Sequence, residues 1–170
     1  MGDLQQQPPV PPGKFVHLHV HTEYSLLDGL SKLPDLIQTA RDNGQHALAI
    51  TDHGAMYGAL HFYNACRKGG IKPIVGVELY MARHSRFDKQ SKMGGDQAHI
   101  TVLAKNYHGY QNINRLVTIA NFEGFSYKPR IDQETLFAHK EDLIGTSGCM
   151  SSLFNRLLRD GKDSEAEELV

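Results

Sequence analysis

Residues 17–29 read HLHVHTEYSLLDG, and the histidines fall at alternate positions. In a β-strand, residues i, i+2 and i+4 share one face. The spacing therefore predicts a strand over FVHLHV, with His17, His19 and His21 on one side. Val16, Leu18 and Val20 would line the other. Such a row has two readings. One is a polar edge facing solvent. The other is a metal site, because neutral imidazole is a common metal ligand. Asp28 would then return from the following loop as an oxygen ligand.

Further along the chain, several residues favour the metal reading. ALAIT (47–51) reads as a buried strand, and Asp52 and His53 follow it before a glycine. Side chains just past the ends of parallel strands form the active face of β/α barrels. PIVGVELY places Glu78 inside an apolar strand, where a carboxylate needs a cation or another partner. His99 opens the strand AHITVLAK, and on its own this position reads more readily as the strand's N-terminal end, away from an active face. Cys149 follows the strand DLIGTS and reads alone as a small buried hydrophobe. Cys66, within an amphipathic helix, reads as core. His46, His61, His84, His108 and His139 read as surface residues.

The remaining signals define an α/β chain. Helices are predicted over LPDLIQTARDNG, GALHFYNACRKGG, GYQNINRLVTIAN, QETLFAH and SSLFNRLLRDG. Ser31 is the expected cap of the first, Pro34 lies in its first turn, and Gly44 stops it. Strand KPIVGVELYMA comes between the second and third. FSYKPRID reads as a turn, and residues 83–96 as a polar loop. Strands alternating with helices predict parallel β/α units. Residues 1–13, rich in Gln and Pro, read as a disordered leader. DSEAEELV reads as the start of a helix, so the sequence reads as a fragment of a longer protein.

Composition excludes some classes. The 170 residues carry a net charge of -1, without the basic excess of a free-standing nucleic-acid binder. No apolar run is long enough to cross a membrane, and no secretory signal opens the chain. Two cysteines without CxxC spacing argue against a disulfide scaffold, so a cytoplasmic location is expected.

His19-Val20-His21-Thr22 and TDHG (51–54) resemble the two leading motifs of the PHP (polymerase and histidinol phosphatase) family. Four longer stretches resemble the form carried at the N-terminus of bacterial DNA polymerase III alpha subunits. They are DHGAMYGALHFYNACRKGGIKPIVGVELYMA, HITVLAKNYHGYQNINRLV, GFSYKPRID and DLIGTSGCMSS. The resemblance runs from about Phe15 to the end. It implies a distorted seven-stranded β/α barrel, TIM-like, cut here before its last strands, with residues 14–170 the N-terminal part of a PHP domain and the polymerase domains downstream.

The resemblance also implies up to three divalent metals, with zinc expected and manganese or iron admitted by the ligands. His19, His21 and Glu78 match ligands of the first. Glu78 would bridge to a second, also held by His99 and Cys149. Asp28 and His53 match ligands of a third. His17 and Asp52 would orient ligands from behind. The catalytic assignments are Glu78, His53 and Asp28. The family's closing Asp-x-His motif does not occur after Cys149, so its ligands would lie in a continuation.

The implied chemistry is phosphodiester hydrolysis as a 3′–5′ proofreading exonuclease, within a DNA-directed DNA polymerase as the full-length protein. The fragment alone is expected to be inactive. Partners would be DNA primer-template and proofreading or clamp subunits of the replicase, with no membrane. Two alternatives stand beside this reading. One is a free-standing phosphoesterase such as histidinol-phosphate phosphatase. The other is a non-catalytic docking module braced by metal.

Overall fold

Helix α1 (Leu33–Asp42) forms because apolar residues recur at helical spacing. Leu33, Ile37 and Ala40 are buried, and Pro34 occupies the first turn, where no backbone donor is required. The expected cap, Ser31, does not cap it. Lys32 holds the cap position without a side-chain bond, and Glu23 Oε1 instead accepts from Leu33 N at 3.3 Å. A carboxylate brought in from the preceding loop thus satisfies a free donor of the first turn. At the other end Gly44 takes φ +66, as the stop requires.

The computed structural model describes residues 15–26, 28–89, 98–148 and 152–168. The leader, Cys149 and residues 90–97 lie outside them. The chain divides into two units, Met1–Val77 and Glu78–Val170.

In the first unit, β1 (Ala47–Ile50) pairs in parallel with the opening half of β2 (Lys72–Met81), Ala47 opposite Lys72 and Ile50 opposite Val75. Helix α2 (Ala59–Lys68) is the crossover between them. Leu33 and Ile37 of α1, Leu48 and Ile50 of β1, and Phe62 and Cys66 of α2 share one core. Each of these Leu, Ile and Phe side chains contributes about 1.5–3 kcal/mol when fully buried. Burial pushes the Cys66 thiol up to about 12, consistent with its reading as core.

The expected strand over FVHLHV is not formed. The segment runs extended beside β1, with Ala49 N donating to His17 O (3.0 Å) and Thr51 N to Val20 O (2.9 Å). Those two carbonyls are three residues apart. A regular pleat presents carbonyls on one edge every second residue, so the segment cannot hold strand register. Thr51 Oγ1 fills the gap by accepting from Val20 N at 2.8 Å. As a consequence Leu18, expected on the apolar side, is 44% exposed.

In the second unit, β4 (Arg130–Ile131) pairs in parallel with the end of β2, Tyr80 opposite Arg130. This strand lies within the segment read as a turn. β3 (Ala98–Ala104) pairs with β5 (Leu143–Thr146) in antiparallel register, whereas strictly parallel units were expected. The cause is local. Asp142, at φ +58, starts β5, and its carbonyl accepts from Lys105 N at 2.9 Å just where β3 ends. Entry of one strand is thereby tied to exit of the other. Helix α3 (Tyr107–Phe122) reinforces the tie through Asn112 Nδ2, which donates to Glu141 O at 2.9 Å.

Helix α4 (Gln133–Ala138) starts at Asp132, whose carboxylate accepts from Thr135 N at 3.0 Å. The same carboxylate accepts from Arg86 N at 3.0 Å and from Arg86 Nη1. Burial raises the Asp132 carboxyl, but the bonds from Arg86 and Thr135 outweigh it and lower it to about 2. Arg130, buried in the same region, donates to Gly124 O and Asp88 O. Helices α5 (Leu153–Arg159) and α6 (Asp163–Glu167) follow, the first capped by Ser152 Oγ. The whole is mixed α/β with parallel pairing in its sheet.

Candidate metal-binding clusters

Two loops of the first unit meet at the end of β1. Asp52, 2% exposed, accepts from Thr22 N at 2.6 Å and from Thr22 Oγ1 at 2.9 Å. The threonine after His21 is thus fastened to the aspartate before His53. A buried carboxylate with two short donors is a rigid joint. After Thr22 the chain turns back, Ser25 N donating to Thr22 O and Gly29 N to Ser25 O, each at 2.8 Å. A Cβ on Gly29 would lie 1.8 Å from Thr22 O, so only glycine permits this return. The return carries Asp28 to the histidines.

The resulting geometry is close. His53 Nε2 lies 2.8 Å from Asp28 Oδ2. The rings of His21 and His53 stack with centroids 4.1 Å apart. His19 Nε2 approaches His21 Nε2 at 3.1 Å. One donor atom from each of His21, Asp28 and His53 falls within 4.8 Å of the others. Ser25, which the sequence reading passed over, touches the His21 ring and the His53 backbone. Its hydroxyl lies 3.0 Å from His21 Nδ1 and accepts from His53 N at 3.0 Å. The available signal was its position four residues after His21. The His17 ring stands edge-on to Phe15, with centroids 4.7 Å apart.

The second unit holds a separate pair. Glu78 is 2% exposed between the fully buried Val77 and Leu79 of β2. His99 Nδ1, on β3, lies 2.8 Å from Glu78 Oε1. Position 99 therefore meets the carboxylate and does not fall at a remote strand end. The Tyr80 ring stands edge-on to His99 at 5.0 Å. His99 also lines a cavity of about 520 Å³ with Met81, Leu136, Thr146 and Phe154. Cys149 lies outside the described residues.

Two imidazole nitrogens and a carboxylate oxygen at this separation suit zinc, manganese or iron(II). The buried Glu78–His99 pair offers the same donor types. Metal-ligating histidines commonly have their second nitrogen held by a neighbour, as Ser25 holds His21.

Motifs, mixed α/β fold and clustered histidine and carboxylate donors mark a domain with candidate metal-binding sites. The family profile described as PHP domain matches residues 17–170, and the chain belongs to that family. Its relatives are more particular. It is 52% identical over 155 residues to the DNA polymerase III subunit alpha of Treponema pallidum, covering 91% of this chain and 13% of that protein. It is 45% identical over 158 residues to the same subunit of Borreliella burgdorferi, covering 92% of this chain and 14% of that protein. The Thermus aquaticus subunit is 48% identical over 143 residues, covering 82% and 12%. The chain thus spans about an eighth of the length of the relatives it matches.

Among solved structures, an inferred metal-dependent phosphoesterase from Bifidobacterium adolescentis aligns with TM-score 0.45 and 21% identity, covering 65% of this chain and 34% of that one. An amidohydrolase from Chromobacterium violaceum, with sulfate and no metal, aligns with TM-score 0.44 and 22% identity, covering 62% and 32%. Likeness at that level decides nothing about activity.

Proposed function

We propose that this chain is the opening part of the PHP domain of a bacterial replicative DNA polymerase alpha subunit, and that it takes part in metal-dependent hydrolysis of phosphodiesters at DNA 3′ ends. The single observation that carries this reading is the convergence of His21, Asp28 and His53 donor atoms within 4.8 Å. Sequence likeness to polymerase alpha subunits supports the choice of DNA as substrate.

His21, Asp28 and His53 would hold one divalent cation, with His19 beside them. Glu78 and His99 would hold a second, with Cys149 as the ligand that resemblance adds. Bound metals of this kind supply Lewis acidity, which eases deprotonation of water and polarises the phosphoryl oxygens. The chain's own contribution is placement. Asp52 locks the two loops together through Thr22, and Ser25 fixes the His21 ring through Nδ1, leaving Nε2 directed at His19. Asp28 Oδ2 lies 2.8 Å from His53 Nε2, so the two donors stand side by side for one cation.

The family's distorted seven-stranded barrel would be completed by strands beyond those present. Polymerisation, contacts with primer-template, and docking of proofreading or clamp subunits would belong to the longer protein, in the cytoplasm. Among the described residues no helix is long and apolar enough to cross a membrane.

The test is degradation of a 3′-mispaired primer by the chain joined to the rest of its PHP domain, with added manganese or zinc. The reading expects trimming that stops with chelator and falls at least about tenfold in Asp28→Asn. Metal-loaded protein that binds primer but never shortens it would overturn the hydrolytic reading. It would favour a domain in which metal only braces the fold.

A further inference from the structure

Tyr127 has φ +59, a left-handed conformation that is unfavourable for an aromatic residue. Glycine or asparagine would adopt it more easily. Its ring gives the fold little in return, being 63% exposed. A strained residue whose ring faces solvent points to a role outside the fold.

Its surroundings are built to hold it. Gly124 packs so tightly that a Cβ would lie 1.7 Å from Arg130 O. The buried Arg130 side chain donates to Gly124 O at 3.1 Å. Lys89 Nζ donates to Glu123 O at 2.5 Å and to Phe125 O at 3.0 Å. Arg86 Nε lies 2.7 Å from Glu123 Oε2. These bonds clamp segment 86–89 to segment 122–130. The clamped pair exposes four aromatic rings, Phe87 at 58%, Phe122 at 87%, Phe125 at 55% and Tyr127 at 63%.

Charge and position say what covers them. At the surface of residues 83–89 and 122–130, Arg83, Lys89 and Lys128 stand against Asp88 and Glu123, in a chain of net charge -1, while Arg130 is buried and Arg86 pairs with Glu123 and Asp132. Lys128 Nζ lies over the Tyr80 ring at 5.4 Å, and the edge of that ring meets His99, which holds Glu78. A run of contacts thus links the aromatic surface to the Glu78–His99 pair. Exposed aromatics with cations among them are how proteins bind single strands, by stacking bases and neutralising phosphates.

We propose that Phe87, Phe122, Phe125 and Tyr127 form a stacking surface for single-stranded nucleic acid, and that Lys128 guides the strand's backbone toward the Glu78–His99 pair. The inference rests on the reading of a DNA phosphodiesterase, and it adds where the strand lies.

The experiment measures fluorescence anisotropy of a labelled oligodeoxythymidylate of about 12 nucleotides with the full chain, at low salt and in chelator. Binding is then read without hydrolysis. Tyr127→Gly and Tyr127→Asn relieve the backbone strain and remove the ring. Both are expected to melt no lower than wild type, yet to bind the oligonucleotide about tenfold more weakly. Lys128→Gln is expected to weaken binding and reduce its salt dependence, while Lys68→Gln on α2 leaves both unchanged. Equal affinity in the Tyr127 variants, or no wild-type binding, would overturn the inference, as would a lower melting temperature in both variants. Wild-type binding, with no hydrolysis by the chain joined to the rest of its PHP domain once metal is supplied, would overturn the hydrolytic reading and leave the surface standing.

Discussion

His53 Nε2 and Asp28 Oδ2 lie 2.8 Å apart, although a 24-residue span of helix and strand separates them in sequence. The joint between Thr22 and Asp52 makes this approach possible. In Asp52→Ala, Thr22 N loses a charged acceptor while buried, which costs about 2–3 kcal/mol. The expected outcome is a melting temperature several degrees lower, with weakened metal binding even where the chain remains folded. Thermal melts paired with zinc titration check it. Unchanged metal affinity in a folded Asp52→Ala would show that the joint does not position the ligands.

Asp132 ties the stability of the second unit to pH. Its carboxyl is lowered from 3.8 to about 2 in the folded chain. Sign follows from linkage: the stabilisation is fully present above the unfolded value and is lost as pH falls through the folded one. The shift corresponds to roughly 2 kcal/mol. Urea melts at about pH 6 and about pH 2.5 measure it. Asp132→Asn should lower stability at the higher pH and flatten the fall between the two. An equally steep fall in the variant would place the acid sensitivity elsewhere.

Gly29 offers a test of the return loop. Gly29→Ala places a methyl carbon against Thr22 O, so the turn must open. Several kcal/mol of strain are expected if the loop stays closed, and displacement of Asp28 if it opens. Histidine resonances of His21 and His53 in NMR spectra report which occurs. Spectra and stability identical to wild type would contradict the close approach.

Cys66 should be inert. It is fully buried, and its thiol is pushed up to about 12. Thiolate is the reacting species, so iodoacetamide at about pH 8 should leave Cys66 unmodified until the chain unfolds. Peptide mapping by mass spectrometry reads the site directly. Rapid native modification would mean that the core shared by α1, β1 and α2 opens readily.

Much of this arrangement was legible in the sequence, for reasons that particular residues make plain. Leu33, Ile37 and Ala40 recur at helical spacing, and ALAI is buried throughout, so α1 follows from periodicity and β1 from an unbroken apolar run. β4 escaped notice because it is two residues long and follows Pro129, a turn signal. The antiparallel β3–β5 pair depends on one backbone bond from Lys105 to Asp142, which no pattern announces. Alternation over FVHLHV was real but gave no ladder, because Thr51 Oγ1 replaces a backbone group. At the site, His21, Asp28 and His53 were named from motif residues, and the structure brings them together. Ser25 and Arg130 were missed. A small hydroxyl and a buried guanidinium are recognised by what they touch, and sequence shows no contacts.

Metal binding by the chain itself tests the account most directly. Calorimetric titration of the full chain with zinc or manganese should show about one or more ions bound, since ligands of the required types converge in the folded protein. The double variant Asp28→Asn/His53→Gln should lose at least one of these ions, while its metal-free melting temperature stays within a few degrees of wild type. Wild-type protein that binds less than about one ion, or a double variant that binds as many and as tightly, would contradict the assignment of His21, Asp28 and His53 as a metal centre.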